Sequence, residues 1–437
     1  MKLRLIKFRD SLADSFWFLP ALLALLAVGA ALGFVALDHA VGGSWVQNIG
    51  WVWSGGADGA RAVLSVIAGS VMTVVSIVFS LTITALAQTS SHYGPRVLRN
   101  FTSDRGVQFT LGIFIATFVY CLLVLRTVRS VEESSFVPYL SVNIGVLLAL
   151  ASLAVLIYFI HHVSQSIQAE NLIADVGQDF QRKLSTLFPE RVGEGSDAEQ
   201  PPDDNYWQHA HQLTSKEHGY LERVDDSALM RLAVQHDLQL KLEKRPGEFV
   251  SSNTPLAQTL PATGITDEIE AALRACFSLG THRTPHQDAL YSIQQLVEIA
   301  AHALSPGINE PFTALTCIDW LGGSLRGVIR RDLPSSARYD QNGRLRVVAR
   351  SLRFEEVAQG ALDQIRIYGA SYPDIMVSLL DTLAGLSSDL QRPLDREVLQ
   401  YHVRLIGEDS AQIKNKADRE RVAKHLEKAL RALTSFS

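Results

Sequence analysis

Four uninterrupted apolar runs, residues 16–37, 62–87, 109–125 and 141–160, contain no Asp, Glu, Lys or Arg, and they constrain this chain more than any other feature. A bilayer core takes about 20 apolar residues to cross as a helix. Inside it every backbone N–H and C=O must be satisfied within the segment, so such runs span as α-helices. Pro20 lies near the entry of the first run, where a helix tolerates it. The second run is longer than a bilayer needs and must tilt or project beyond it. The first run follows a basic start (Lys2, Arg4, Lys7, Arg9), as a cleaved signal peptide would. It is longer than a typical h-region and three more spans follow, so an uncleaved helix is expected.

Orientation is read from the short flanks, where cytoplasmic loops gather Lys and Arg. The N-terminal flank is basic, and the second-to-third loop carries Arg96, Arg99 and Arg105. The first-to-second loop has no basic residue before Arg61. Both termini are therefore expected in the cytoplasm, with Trp45, Trp51 and Trp53 at the outer interface. Beyond residue 165 the chain is rich in Glu, Arg, Asp and Gln. A net charge of −5 argues against nucleic acid as a partner, because that needs a clustered basic face. The three cysteines, Cys121, Cys276 and Cys317, have no metal-knuckle spacing and read as reduced thiols.

The second span is the chemically informative one. On a helical projection Ser70, Thr73, Ser80, Thr84 and Gln88 fall within a stripe about 80° wide. Hydroxyls in such a row can line a pore and replace part of an ion's hydration shell. They can equally join membrane helices, or bond to the carbonyl one turn back. The sequence leaves open whether the stripe faces water or another helix. Proton-coupled transporters place Asp, Glu or His within their spans. Here the nearest are His161 and His162 at the edge of the fourth span. If ions pass, an oligomeric pore is the expected route.

After the spans, residues 164–188 carry apolar positions at helical spacing and read as an amphipathic continuation of the fourth helix, stopped by Pro189. A Gly-, Pro- and acid-rich linker follows. Residues 205–262 read as a small β-rich module: GYLERVD and LQLKLEK alternate around a helical segment at 226–236, and RPGEFVSSNTPLAQTL gives turn, strand, turn, strand. This resembles the hairpin half of a biotinyl/lipoyl-like barrel sandwich. Its hairpin turn, residues 251–255, lacks the lysine that would carry such a cofactor, so none is expected. The resulting division is a four-helix membrane domain (1–163), an amphipathic helix and linker (164–204), the β-rich module (205–262) and a helical cytoplasmic domain (263–437). The fold class is thus membrane α-helical followed by an α+β domain.

In the helical part, Thr284 is expected to N-cap a helix with Pro285 at its first position and Gln287 completing a capping box. Asn309 is expected to cap the next helix. Arg283 and Asp288 are expected to form a salt bridge at the helix entry, or else to hold an anionic ligand. His282 and His286 do not share a helical face as H-E-x-x-H ligands do, so no metal site is expected. No Walker loop, G-x-S-x-G elbow or GxGxxG turn is present, and nothing points to an enzyme.

The run GPRVLRNFTSDRGVQFTLGIFIATFVYCLLVLR, with GYLERVD, RPGEFV, RTPHQD and ALSPGINEPFTA, resembles a bacterial family of predicted inner-membrane proteins of unknown function. Tyr93-Gly94 stands where that family tends to have Phe-Ser, and Glu310 where it tends to have Asp. The resemblance implies a bacterial inner-membrane protein and carries over no activity. The residues themselves favour a homo-oligomeric, channel-like conductance, with an ion or small ligand as the expected partner. The alternative is a membrane-anchored sensor or scaffold whose cytoplasmic domain binds a ligand or partner near Arg283, Asp288 and Asn309.

Overall fold

The computed structural model describes residues 15–41, 56–97, 101, 104–129, 136–187, 202–333 and 335–434. The basic N-terminal flank, the three loop tryptophans, Arg99 and most of the linker before residue 202 lie outside the described residues. Two compact units divide at residues 171 and 172.

The first unit contains α1 (Phe18–Val41), α2 (Ala57–Tyr93), α3 (Arg105–Thr127) and α4 (Tyr139–Ser166), each long and apolar enough to cross a membrane. The four expected spans are therefore present, each extended past its apolar run by polar turns. The third is the central helix and packs against the other three. Small residues make this possible. Ala27 and Ala31 of α1, and Ala60 and Ala68 of α2, are buried around Tyr120, Cys121 and Val124 of α3. Gly112 lets α1 approach, because a Cβ there would lie 3.2 Å from the Pro20 Cα.

Both ends of this bundle are held by carboxylates. Asp38, near the end of α1, is buried and accepts from the backbone N–H groups of Leu140 and Ser141, each at 2.9 Å, and from the Ser141 hydroxyl at 2.6 Å. It thereby caps α4 from another helix, supplying acceptors to N–H groups that have no intrahelical partner. Tyr120 donates to the Ser141 carbonyl at 3.1 Å, and Thr117 and Ser152 share a hydrogen bond at 3.1 Å between α3 and α4.

The expected continuation of the fourth helix is corrected: α4 ends at Ser166 and a separate helix, α5 (Ala169–Leu187), begins after a break at Ile167–Gln168. The break is physical, since Ile167 closes α4 with bonds back to Val163 and Gln165. α5 buries Leu172, Ile173, Val176, Phe180 and Leu184, on the stripe expected of it.

The second unit contains β1 (His211–Thr214), β2 (Gly219–Val224), α6 (Asp226–Gln235), β3 (Gln239–Leu242), β4 (Phe249–Val250), β5 (Pro255–Leu260), α7 (Asp267–Arg274) and β6 (Phe277–Gly280). There follow α8 (Tyr291–Ala303), α9 (Pro311–Ile329), β7 (Ala337–Tyr339), β8 (Leu345–Val348), α10 (Phe354–Gly369), α11 (Pro373–Gly385), α12 (Pro393–Asp409) and α13 (Lys416–Thr434). One sheet has the order β1-β5-β3-β8-β7 and the other β4-β2-β6. All pairings are antiparallel except β3 with β8.

The expected boundary at residue 262 and the barrel-sandwich likeness are corrected by this topology. β6 completes the sheet of β2, and β7 and β8 complete the sheet of β3, so both sheets draw strands from beyond that point. The strands share one apolar core, including Leu221, Leu240, Val250, Leu256, Leu273, Phe277 and Val347. A module cut at residue 262 would expose it. α5 lies against α8 and α9: a Cβ on Gly177 would strike the Trp320 ring, Gln181 donates to the Gly323 carbonyl at 3.0 Å, and Asp179 accepts from Ser292 at 3.2 Å.

Candidate functional site

Two sets of residues were singled out by the sequence, one in each unit. On α2 the buried face is Ala60, Leu64, Ala68, Val71, Val78, Thr82, Ala85 and Thr89. Ser70, Thr73, Ser80, Thr84 and Gln88 all lie on the opposite, exposed face. Among the described residues the stripe therefore packs against no other helix. The small-residue contacts that join α2 to the bundle are made by the other side. Thr73 and Thr84 satisfy their hydroxyls by donating to the carbonyls of Gly69 and Ser80, at 3.1 and 3.0 Å. The side chains of Ser70, Ser80 and Gln88 make no hydrogen bond among the described residues.

At 37 residues, α2 is about 55 Å long, well beyond a hydrocarbon core of about 30 Å. Part of it must stand outside the bilayer. Arg96, in a single turn of 3-10 helix after α2, is exposed.

The motifs of the second unit converge on a closed polar cluster. Arg283 donates from Nε to Asp288 Oδ2 at 2.8 Å, and its Nη atoms reach Asp288 and Gln294. Asp288 is buried and accepts the Leu290 N–H at 3.1 Å. It is Asp288 that forms the turn leading into α8. The expected Thr284 cap is thereby corrected: α8 begins at Tyr291, and residues 285–287 and 289–290 form turns before it. Gln287 completes no capping box. Its amide bonds both the N–H and the carbonyl of Val224, at 2.8 and 3.1 Å. β4 is two residues long and covers only the start of β2, so Gln287 supplies the edge pairing that β4 does not.

The RPGEFV segment closes the cluster. Gly247 has φ +95°, a left-handed conformation, and a Cβ there would strike the Asp288 carboxylate. Its N–H donates to the Leu221 carbonyl at 2.8 Å. Arg245 makes a two-pronged bond to Glu356 at 2.8 and 2.9 Å, a geometry that suits guanidinium and carboxylate. Burial pushes the Asp288 carboxyl up, against the pull of Arg283. The expected salt bridge of Arg283 and Asp288 is present. Its carboxylate is taken up by Arg283 and the Leu290 amide, which makes the pair a structural latch.

Asn309 is not grouped with these residues by any bond. It takes φ +52° just before Glu310 and Pro311, and its side-chain oxygen accepts from the Tyr372 hydroxyl at 3.0 Å. The expected Asn309 cap is corrected accordingly, because Glu310 is the residue that precedes α9. Past it, α9 and α11 enclose an open groove of about 690 Å³ with Phe312, Leu315 and Val377 on its surface and Asp319, Asp374 and Asp381 along it. Phe312 is 82% exposed. Asp374 pairs with Arg421 at 2.5 Å, and Asp381 with His425 and Lys428, each at 3.0 Å.

Among the described residues no group of three His, Cys, Asp or Glu could hold a metal. All three cysteines are free and buried. Burial pushes the Cys276 thiol up to about 11 and raises that of Cys317 further, so neither is a ready nucleophile.

Sequence reasoning passed over Asp38, which stands one position beyond the first apolar run, and Asp104. The legible signal for Asp104 was its position as an acidic residue directly before an apolar helical run.

A family model described as "Predicted membrane protein (DUF2254)" matches residues 13–385. An uncharacterized protein of Mycobacterium bovis is 29% identical over 403 residues, covering 91% of this chain and 76% of that protein. An uncharacterized protein of Mycobacterium tuberculosis matches to the same extent, at 29% over 403 residues. No solved structure matches.

Proposed function

The chain belongs to the DUF2254 family of predicted membrane proteins, and from that footing we propose that it forms a homo-oligomeric, channel-like conductance in the bacterial inner membrane. The observation that carries the reading is the outward exposure of Ser70, Thr73, Ser80, Thr84 and Gln88 on α2. A glutamine facing lipid has no partner there and a serine has only the carbonyl one turn back, whereas copies arranged about a shared axis would give these side chains water or each other. α1 offers a surface for such contacts. Gly29 and Gly33 face outward with no atom near an added Cβ, the spacing by which membrane helices approach closely.

In this reading both termini are cytoplasmic, the second unit forms a vestibule or gate, and no enzymatic step is involved. Replacing Thr73 and Ser80 together with Leu removes two polar positions from the proposed axis. Ion flux into proteoliposomes is expected to be lost while the native mass stays the same. Flux equal to wild type in that variant overturns the pore assignment.

The groove beside Phe312 favours a second reading, a membrane-anchored sensor or scaffold. Its exposed aromatic and the exposed Asp319 carboxylate suit a partner with apolar and cationic groups, Asp374 and Asp381 being paired within the chain. That reading predicts a rise in melting temperature with some ligand, abolished by Phe312→Ala.

A further inference from the structure

The end of α4 is fixed to the bundle. Asp104 caps α3 by accepting the Gly106 N–H at 2.7 Å, and its other oxygen lies 2.8 Å from Nε2 of His162. Tyr93 donates to the Ile167 carbonyl at 3.4 Å. Only Ile167 and Gln168 separate α4 from α5, a step of at most about 11 Å. With the turns of α4 beyond its apolar run added, the chain keeps the start of α5 within about 20 Å of the end of that run.

α9 runs beside α5 in the same direction. Gly177 meets Trp320, Gln181 meets Gly323 and Leu184 meets Gly327, so each later position on one helix touches a later position on the other. The start of α9 therefore stands at the end of the second unit where α5 starts. The last turn of α10 reaches the same end. The Tyr372 hydroxyl donates to Asn309, just ahead of α9, and the Tyr372 N–H donates to the Gly369 carbonyl at 2.8 Å, closing α10.

The side chains gathered there are apolar and uncovered. Phe312 is 82% exposed, more than any other large apolar side chain among the described residues, those of the spans included. Ile367 and Tyr368 are 58% and 54% exposed. The loop that presents Phe312 is well tied: the Asn309 N–H donates to the Ser305 carbonyl at 2.9 Å, and the Glu310 N–H to the Ala303 carbonyl at 2.7 Å. A fixed backbone thus holds the ring out, and a ring left in water forgoes the gain of burial.

We infer that this end of the second unit rests on the lipid interface of the bilayer, with Phe312, Ile367 and Tyr368 as its contacts. Aromatic and aliphatic side chains of this kind settle at the boundary between headgroups and acyl chains. The charges select the lipid. Residues 305–312 contain no Lys or Arg, Glu310 is exposed, and Asp374 is answered by Arg421. The contact is therefore apolar and needs no anionic lipid. It holds whether or not the protein conducts.

Photo-cross-linking of the full chain in phosphatidylcholine nanodiscs tests it, with p-benzoylphenylalanine placed singly at position 312, 368 or 394. Leu394 is the control. It is 72% exposed, and it follows Asp389, which pairs with Arg326 and Arg330 in the last turns of α9, at the other end of the unit. Irradiation is expected to add the mass of a lipid at positions 312 and 368 and to add none at 394. A second copy or another protein cross-linked at 312 overturns the inference, as does the absence of any adduct there. Lipid adducts at 394 as abundant as those at 312 overturn it too, because they would report the probe's own affinity for lipid.

Discussion

Gly247 is where three sequence motifs meet at a single atom position. Two separate demands act there, a left-handed φ and contact with the Asp288 carboxylate. Gly264, with φ +91° and no neighbour near an added Cβ, carries only the first. Gly264→Ala is expected to cost about 1 kcal/mol. Gly247→Ala is expected to cost more, roughly 2–4 kcal/mol, because the carboxylate must also move off Arg283. Thermal unfolding of the two variants side by side checks this, and equal losses would mean that the latch is not under packing constraint.

His402 gives a second test at this scale. It is buried between α10 and α12 with Nδ1 3.6 Å from Asp363, beyond hydrogen-bonding distance. Burial pushes its imidazole below the usual range, with Asp363 working in the opposite direction. The folded protein therefore binds this proton less readily than the unfolded chain. Stability is expected to be full above about pH 6.5 and to decline as pH falls below it. The melting temperature of wild type should drop over that range, and the drop should shrink in His402→Gln.

At the scale of elements, the spans were legible because apolar length is a local property. Their ends were not. Asp38 ended the first apolar run in sequence, yet α1 continues through it because its carboxylate is needed to cap α4, about a hundred positions away. The same limit explains the Thr284 cap. The residues were right for a capping box, but Gln287 is drawn to the unpaired edge of β2 and Asp288 forms the turn instead. The strands around GYLERVD and LQLKLEK were readable from alternation. Their partners β6, β7 and β8 lie far along the chain, and sheet order depends on those long-range pairings. Asp38→Ala tests the cross-helix cap. It leaves two backbone donors and one hydroxyl without an acceptor, and is expected to cost about 2–3 kcal/mol in the thermal unfolding of the solubilised protein. A loss below about 0.5 kcal/mol, the range of ordinary surface changes, would show that water takes over the role.

On the scale of the whole molecule, the α2 stripe was fully legible as a row of residues. Its environment was not, because the sequence cannot say which face of a span the bundle covers. In the folded chain α3 lies at the centre of the bundle and α2 buries a face of apolar and small side chains with Thr82 and Thr89, which leaves the stripe outward. That arrangement makes the account depend on more than one copy. Native mass spectrometry of the detergent-purified full-length protein tests it most directly. The account predicts a closed particle of four or more copies, large enough for several α2 helices to surround an axis. A monomer or dimer as the sole species would contradict it, leaving the stripe with no axis to line.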